Sequence, residues 1–504
     1  MGFQLWDGVV IMQWIRWGWN QLTSMRTALI LLFLLAIAAI PGSIIPQRPN
    51  SPIEVLEYQR AHPKLNKVWE ALHMYDVYSS PWFSAIYLLL FISLIGCIIP
   101  RIVKYARDLR KPPPKLPRHL RKMPEHAVVE NPLEEGVLDA AEGWLKQHRY
   151  RVLRTDEGVS AERGYLREFG NLLFHVSLVG VLAGVAWSNL GGFRGSVVVV
   201  EGRGFANVIT QYDDFTAGAW VNTDDLEEFS LKVDSFRAKF ETGRVQRGAA
   251  RVFDATVTVS ENGQQHKELM TVNSPYITEG GTQVNLLGHG YAAHVTVTDG
   301  EGNVAFSGPQ VFLPQDGNFS SSGVIKAPDA RPKRLAFEGI FLPTAVLNQD
   351  GPHSVFPDAL DPEIWINAWA GDPAEETGTP ESIYTLNTAG LEPVEGDNGE
   401  RLRARMKPGS GFTLPDNLGT VQFDGYSRWV KLQISQTPGN PLALTSVLIG
   451  IVGLTLSLFV KPRRMFVRLG DDEVTVGGLD RSNQATGLED EISELAEALR
   501  DGKE

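Results

Sequence analysis

Cysteine is almost absent from this sequence, because Cys97 is the single one among 504 residues. One thiol excludes, within this chain, a disulfide framework, a four-thiolate zinc or iron–sulfur site, a C-x-x-C redox centre and a C-x-x-C-H haem attachment motif. Any thiol redox chemistry or covalent haem must therefore belong to a partner. We interpret Cys97 itself as a small apolar packing residue, with a reactive or haem-linked thiol as the alternative.

Basic charge is also in deficit, with 47 Lys and Arg against 59 Asp and Glu and a formal net charge of −12. This balance argues against a protein that binds nucleic acid. The sequence likewise has no nucleotide-binding loop, no G-x-S-x-G, no H-E-x-x-H and no paired-carboxylate pattern. Judged by its overall composition and net charge alone, the chain resembles an ordinary acidic soluble protein.

Four apolar runs contradict that interpretation. Each has about the 20 residues needed to cross a hydrocarbon core of about 30 Å, and none contains Asp, Glu, Lys or Arg. The first run could instead be a cleaved signal peptide, since Ala36 and Ala38 resemble a small-residue cleavage site. Its continuation through Ile44 and Ile45 favours a membrane helix. We therefore predict four transmembrane helices, at residues 27–45, 82–100, 169–190 and 441–460.

Charges beside these runs predict their orientation. Between residues 101 and 122, nine Lys and Arg stand against the single acid Asp108, and Lys461 begins a basic stretch after the fourth run. By the positive-inside rule, both termini and residues 101–168 are cytoplasmic. Residues 46–81 and 191–440 would then lie outside the cell membrane.

The remaining segments have simpler patterns. The N-terminal segment 1–26 carries an aromatic belt of interfacial type, although a haem-binding tryptophan motif is the alternative; its tryptophans are Trp6, Trp14, Trp17 and Trp19. Residues 46–81 form an amphipathic outer loop. Within 101–168, a basic Pro-rich stretch precedes a small αβ element, with an amphipathic helix near 137–145 and a strand near 150–153. The acidic tail 461–504 ends in leucines at helical spacing, which we interpret as a frayed surface helix, with a docking helix as the alternative.

The large segment 191–440 alternates apolar and polar residues and is interrupted by turn signals. This pattern predicts an antiparallel, sandwich-like β-rich domain outside the cytoplasm, between the third and fourth helices. Its Asn-Gly and Asp-Gly pairs predict tight turns at Asn262, Asp299, Asp316, Asp350 and Asp424. The Gly- and Pro-rich stretch 371–401 predicts an insertion loop.

His175 is the histidine that falls inside a predicted membrane helix. It lies about six residues beyond the helix start, or roughly 9 Å in from the cytoplasmic face. A buried imidazole there is costly without a partner, which makes function the default hypothesis. Imidazole is the usual axial ligand of haem iron; the alternative is a hydrogen bond to a neighbouring helix. One histidine gives one axial ligand, so the second would come from another subunit.

The histidines of the β-rich segment show no metal-binding spacing, and we interpret them as surface or structural residues: His266, His289, His294 and His353. His289 and His294 are five residues apart in a strand-like stretch. Since strand side chains alternate between faces, this spacing predicts that they point to opposite faces and share no metal.

Five segments, in order along the chain, resemble the ResB family of c-type cytochrome biogenesis proteins, also called CcsB. The more specific signals are GSIIPQ after the first helix and SSPWF before the second. The similarity covers nearly the whole chain, through LTSMRTALILLFLLAIAAIPGSIIPQ, VYSSPWFSAIYLLLFISLIGCIIPR, ERGYLREFGNLLFHVSLVGVLAG, VNSPY and QTPGNPLALTSVLIGIVGLTLSLFVKPRRMFVR. The β-rich segment matches more loosely.

The resemblance implies a subunit of a System II cytochrome c–haem lyase that acts with a CcsA-type membrane partner. It implies that haem b, as substrate or transient ligand, is moved outward and presented to the C-x-x-C-H thiols of apocytochrome c. His175 matches the family's membrane histidine, proposed as one axial ligand. A thioredoxin-like thiol reductant is a further implied partner, beside membrane lipid.

Two other functions remain open from the sequence. The chain could be a non-catalytic membrane scaffold whose β domain docks apocytochrome or a thioredoxin-like chaperone, with a structural His175. A transporter of some other solute is a third class. Only four predicted helices and the absence of charged residues within them weaken the transporter hypothesis.

Overall fold

The computed structural model describes residues 4–48, 52–130, 136–349, 351–373, 383–396, 399–470, 473–480 and 487–501. The chain divides into two compact units. We call the first, Met1–Trp187 together with Gly439–Glu504, the membrane unit, and the second, Ser188–Pro438, the β unit.

The helices of the described residues follow the apolar runs and several amphipathic stretches. Their bounds are α1 Gln4–Leu22, α2 Met25–Ile44, α3 Pro52–Ala61, α4 Pro63–Ala71, α5 Pro81–Arg110, α6 Val137–Gln147, α7 Tyr165–Gly191, α8 Asn440–Phe459 and α9 Leu488–Asp501. Within the described residues, four helices are long and apolar enough to cross a membrane: α2, α5, α7 and α8. The prediction of four apolar helices is confirmed, and the chain has the character of a multi-pass membrane protein.

The second long helix extends further than its apolar run. Ser80 caps its start, where the hydroxyl accepts a hydrogen bond from the Phe83 amide at 3.3 Å. The predicted membrane span 82–100 lies within this helix, which passes through Pro100 and continues to Arg110. The added residues RIVKYARDLR contain good helix formers. The helix stops where Pro112, Pro113 and Pro114 follow, since proline lacks the amide proton that a helix interior needs.

Strands occupy both units. Those before α7 are β1 Glu125–Glu130, β2 Arg151–Thr155 and β3 Gly158–Arg163. The β unit contains β4 Phe193–Val200, β5 Gly204–Ala206, β6 Asp214–Ala217, β7 Phe229–Phe240, β8 Ala250–Glu261, β9 Gln264–Thr271, β10 Tyr276–Ile277, β11 Gln283–Asp299, β12 Val304–Pro314, β13 Ser321–Ala327, β14 Arg334–Leu342, β15 Ala345–Asn348, β16 Gly351–Ser354, β17 Glu363–Gly371, β18 Glu392–Pro393, β19 Ala404–Met406, β20 Ser410–Thr413 and β21 Gly419–Gln436. After α8 come β22 Arg463–Leu469 and β23 Glu473–Asp480.

In the membrane unit, strands from the segment before α7 and from the segment after α8 form one five-stranded antiparallel sheet. Its strand order is β1-β23-β22-β3-β2, so the two C-terminal strands lie between strands that precede α7. Helices α6 and α9 cover it with buried apolar side chains, among them Ala141, Leu145, Leu495 and Leu499. The predicted αβ element therefore exists, but it is completed by the tail.

The interpretation of the tail as a frayed surface helix was wrong. Helix α9 buries Leu488, Ile492, Leu495, Ala496 and Leu499 against the sheet. The docking alternative is the one that the structure shows. The helix docks because its apolar side chains recur every three to four residues on one face, which packs on the buried apolar residues of the sheet.

The β unit is built from antiparallel strands, as predicted. A twelve-stranded sheet has the central order β18-β17-β14-β13-β12-β11-β21-β4-β6, and a four-stranded sheet has the order β5-β7-β8-β9. The long pair β11 and β21 forms the middle of the large sheet. One apolar core lies around Tyr291, Phe312 and Phe341, and another around Phe205, Val257 and Leu432.

The turn signals gave mixed results. Asn262 and Gly263 have φ of 49° and 74° and connect β8 to β9, which confirms a tight turn there. The turn predicted at Asp424 was wrong: this residue lies inside β21, opposite the register shift between His294 and Val295. One extra residue on one strand produces a β-bulge instead of a reversal. Asp350 and parts of 371–401 lie outside the described residues.

Candidate functional site: the membrane histidine

Helices α7 and α8 approach each other closely through glycine. A side-chain carbon added at Gly170 would lie 2.5 Å from the carbonyl oxygen of Gly453. One added at Gly453 would lie 2.6 Å from the amide nitrogen of Phe174. Both neighbours are backbone atoms, which cannot move aside as a flexible side chain can. Small residues at such positions let membrane helices pack backbone against backbone.

The contact continues along both helices. A carbon added at Gly184 would meet the amide nitrogen of Ala443 at 2.7 Å, and one added at Gly450 would meet the Ser177 hydroxyl at 2.5 Å. Gly170, Ser177 and Gly184 are spaced by seven residues, so they share one face of α7 at about 100° per residue. This face, which packs on α8, is the small-residue face of α7.

His175 lies on the opposite side of the same helix. It is five residues after Gly170 and two before Ser177, which places it about 140–160° around the helix axis from the small-residue face. Its side chain is half-buried. The imidazole therefore points away from α8, toward the face of α7 that also carries Leu182.

One nitrogen of the imidazole is already engaged. The Nδ1 of His175 lies 2.7 Å from the carbonyl oxygen of Asn171, one turn earlier. A carbonyl oxygen can only accept, so Nδ1 must carry the proton, and Nε2 keeps its lone pair. The Phe174 ring stands edge-on to the imidazole, with ring centres 5.4 Å apart. This tautomer, oriented by a backbone acceptor, is the arrangement typical of metal-ligating histidines.

Helix α5 supports the backbone of α7 at two points. The Tyr87 hydroxyl donates a hydrogen bond to the carbonyl of Leu182, and the Tyr105 hydroxyl donates to the carbonyl of Tyr165 at 3.2 Å. Tyr87 near the start of α5 thus contacts the later part of α7, and Tyr105 near the end of α5 contacts the first residue of α7. The two helices therefore run antiparallel. His175 lies between the two supported carbonyls.

Cys97 takes part in the packing of α5 against the link between α1 and α2. Its thiol lies 2.7 Å from the carbonyl oxygen of Thr23, and the neighbouring Ser93 hydroxyl donates to the carbonyl of Leu22. At Gly96, an added carbon would meet the methyl group of Thr23 at 2.1 Å. These contacts agree with a packing residue, and the chemical role of the thiol stays a prediction.

The tryptophans near the N-terminus lie on helix α1. Trp14, Trp17 and Trp19 are each more than half exposed, and the rings of Trp14 and Trp17 meet edge to face at 5.9 Å. Exposed indoles beside an apolar helix are typical of a membrane–water interface. The side chain of Trp6 lies outside the described residues.

The glutamine of the GSIIPQ segment has a structural role that the sequence did not reveal. Gln47 is 6% exposed. Its amide donates to the carbonyls of Ile45 and Met74, each at 2.9 Å, and its carbonyl oxygen accepts from the Val77 amide at 3.0 Å. Next to it, Arg48 forms ion pairs with Glu70 and Asp76. The outer loop is thereby tied to the end of α2.

The histidines of the β unit lie apart from one another. His266 contacts the Tyr276 hydroxyl at 3.0 Å, and His294 contacts the Ser427 hydroxyl at 2.9 Å. His353 contacts the Gly351 carbonyl at 3.1 Å. Across the part of the chain that the structure describes, no three His, Cys, Asp or Glu residues come together as a metal ligand set.

His289 of the β unit is buried in an aromatic environment. It is 8% exposed and surrounded by rings of Phe236, Phe240, Phe253 and Phe319, with centres 4.5–6.2 Å away. Burial, and secondarily the nearby Arg428 cation, lower its pKa to about 3. His289 and His294 lie on opposite faces of β11, as predicted, because they are an odd number of residues apart in one strand.

Comparison with known proteins places this chain in a family. The sequence model described as the ResB-like family matches residues 25–493. The chain belongs to that family. His175, the small-residue face of α7, Gln47 and the five-stranded sheet all fall inside the matched region.

Individual relatives agree with this assignment. The chain is 26% identical over 486 residues to "Cytochrome c biogenesis protein CcsB" of Synechococcus elongatus, covering 93% of this chain and 89% of that one. It is 24% identical over 504 residues to the protein of the same name from Microcystis aeruginosa, covering 97% and 96%. A shorter match, 29% identical over 276 residues, joins it to the CcsB of a Synechococcus strain, covering 52% and 58%.

Proposed function

We propose that this chain is a membrane subunit of the c-type cytochrome biogenesis machinery. It handles haem within the membrane and, with a CcsA-type partner, presents it for covalent attachment to apocytochrome c outside the cytoplasm. Family membership and the names of relatives that match nearly the full length support the role in cytochrome c biogenesis. Haem is here the substrate and passes through this subunit.

The observation that carries the haem step is the free nitrogen of His175. Its Nδ1 proton is bound to the Asn171 carbonyl, so Nε2 can donate its lone pair to iron as one axial ligand. The imidazole lies on the side of α7 opposite the α8 contact, and we place the ligand of the partner subunit on that side. Bound haem would supply the iron. This chain would supply Nε2 as one ligand, with the ring oriented by the Nδ1 contact to Asn171 and flanked by Phe174.

The second axial ligand comes from the partner. No other histidine lies in the four long helices, and a six-coordinate haem iron with two imidazoles needs another. We assign it to the CcsA-type subunit. The covalent step is likewise assigned to the assembled pair, with the apocytochrome supplying the reacting thiols. Cys97 takes no part in it, since its thiol is held against the Thr23 carbonyl.

The β unit serves as the docking part outside the cytoplasm. The basic segment after α5 and the basic residues after α8 favour a cytoplasmic location for the five-stranded sheet, which leaves the β unit on the other side. Its sequence has an excess of acid, which suits a basic partner such as an apocytochrome. A thioredoxin-like reductant would also dock on the β unit. It is needed because this chain has no cysteine pair that could reduce the apocytochrome thiols by exchange.

Replacement of His175 separates this function from a purely structural scaffold. The His175→Ala variant, produced with its partner subunit, is expected to yield little holocytochrome c, although both subunits assemble in the membrane. The matched control is His126→Ala, since His126 is exposed on β1 of the sheet. An unchanged yield of holocytochrome would favour the scaffold function and contradict the ligand role.

A further inference from the structure

A cavity of about 450 Å³ opens in the membrane unit where α7 begins and α8 ends. Its wall has an apolar part, formed by Leu166 and Phe459 at the two helix ends, and a cationic part from the sheet side. The cationic part consists of Arg149, Arg151, Arg163 and Lys461. Such a lining fits a molecule that is apolar at one end and negatively charged at the other.

Two of these cations have no acidic partner. The Arg149 backbone amide donates to the Lys146 carbonyl at 3.0 Å, but within the described residues the Arg149 side chain makes no hydrogen bond or ion pair. Arg151 donates to the backbone carbonyl of Lys111 at 2.7 Å and stacks over the Tyr165 ring at 4.7 Å. Neither contact neutralises a guanidinium, so both charges remain available to an anion.

The other charged groups of the wall are already paired. Arg163 forms an ion pair with Glu491 of α9. The acid in the wall, Glu162, lies 3.3 Å from the Arg464 guanidinium. Glu162 therefore does not cancel the positive charge of Arg149 and Arg151.

The backbone at Arg149 is in a conformation that side chains disfavour. Its φ is 61°, in the left-handed region, immediately after the C-cap His148 of α6. The Tyr150 amide donates to the Leu145 carbonyl at 2.9 Å, which closes the helix end in the manner that usually requires glycine. A non-glycine residue in this region of φ is strained, and strained residues of this kind concentrate at functional sites.

A neutral donor completes the site. The Tyr165 hydroxyl is buried and has no hydrogen-bond partner, a costly state for a polar group. Tyr165 is also the first residue of α7. A phosphate oxygen that reached this hydroxyl would accept a hydrogen bond from it, while the other phosphate oxygens accept hydrogen bonds from the guanidinium groups.

We propose that this cavity binds the phosphate of an anionic phospholipid. Its acyl chains would run along Leu166 and Phe459, which are 55% and 78% exposed at the ends of two apolar helices. Guanidinium groups match the geometry of phosphate oxygens. The inference needs only that α7 and α8 cross a membrane, and it does not depend on the haem role of His175.

The test uses the full-length chain in nanodiscs of phosphatidylcholine that contain a small fraction of phosphatidylglycerol. Native mass spectrometry counts the phosphatidylglycerol molecules that the released protein retains. Arg149→Gln and Arg151→Gln should each weaken retention about fivefold, since one basic side chain at a membrane surface contributes this much to anionic lipid binding. Arg154→Gln is the control, because Arg154 is paired with Asp139 outside the cavity.

A second variant guards against misfolding. Arg149→Gly places the residue that the left-handed backbone favours, so the protein should melt at the same or a higher temperature and still lose phosphatidylglycerol. Unchanged retention in Arg149→Gly and Arg151→Gln would overturn the proposal. So would unchanged lipid retention with a loss of co-purified haem, which would assign the cations to the haem carboxylates instead.

Discussion

The Nδ1 atom of His175 lies 2.7 Å from the carbonyl oxygen of Asn171, one helical turn before it. This contact fixes which imidazole nitrogen carries the proton. It leaves Nε2 as the only nitrogen able to bind iron, and it holds the ring in one orientation on α7. The packing of α7 on α8 then fixes the helix itself.

Because α7 and α8 pack so closely, adding one methyl group at their contact should lower the stability of the protein. Gly453→Ala should destabilise the membrane unit by about 1–3 kcal/mol, because the new carbon meets backbone atoms of Gly170 and Phe174 at 2.8 and 2.6 Å. The helices must separate, and His175 moves with α7. Thermal unfolding of the purified protein in detergent measures the effect.

The matched control makes the same substitution where space is open. Gly143 lies in α6 with no atom within 4 Å of an added carbon. Gly143→Ala should be neutral or stabilise the protein by about 0.5–1 kcal/mol, since alanine favours the helix. Equal melting temperatures for both variants would contradict a backbone-to-backbone contact between α7 and α8 at Gly453.

The tail should be essential to the five-stranded sheet. Leu495 of α9 is fully buried, so Leu495→Ala should cost about 2–5 kcal/mol of stability. Trypsin should then cut the basic segment that follows α5 faster than in the parent protein. Glu497→Ala, on the exposed side of α9, should leave the cleavage rate unchanged. Similar cleavage of both variants would restore the frayed-helix interpretation.

The buried His289 predicts a pH dependence of stability. Its folded pKa is about 3, against about 6.5 in an unfolded chain. Between these values the unfolded chain binds a proton that the folded one does not. Stability is therefore fully present above about pH 6.5 and falls as the pH drops below it, by up to about 1.4 kcal/mol per pH unit.

Replacement of His289 should remove the part of the pH dependence of stability that this residue causes. His289→Phe keeps a ring among the surrounding phenylalanines but cannot take up a proton. Melting temperatures at about pH 7.5 and about pH 5 should differ less in the variant than in the parent protein. If the two proteins lose the same stability on acidification, His289 is not the group that couples folding of the β unit to pH.

Docking of apocytochrome should depend on salt. The acidic residues of the β unit and a basic apocytochrome attract each other over about 10 Å at 0.1 M ionic strength, and over less at higher salt. The apparent affinity of the full-length protein for apocytochrome should therefore fall as sodium chloride is raised. Affinity that is insensitive to salt would contradict electrostatic docking.

Some of the fold could be predicted because the information is local. The four long helices follow from uninterrupted apolar runs, and the Asn262–Gly263 turn follows from residues that accept positive φ. The continuation of α5 beyond the apolar run was not predictable in this way, because Pro100 lies inside the helix and does not end it. Composition alone does not distinguish a proline that ends a helix from one inside it.

Other parts depend on partners that are distant in the sequence. Strand β22 pairs with β3, which lies some 300 residues earlier. The apolar and polar alternation of so short a strand does not indicate which strand it pairs with. Asp424 could not be recognised as a bulge without the register of β11 opposite it. The position of His175 in a helix was predictable, but the Asn171 contact and the small-residue face required the packed structure.

The haem-ligand role of His175 is tested most directly by the absorbance of haem that co-purifies with the chain and its partner subunit. Our account predicts that His175→Gly loses this absorbance and the associated holocytochrome c. Added imidazole should restore both, because it can occupy the space of the missing ring and supply the nitrogen. Full haem content in His175→Gly without imidazole would contradict the account.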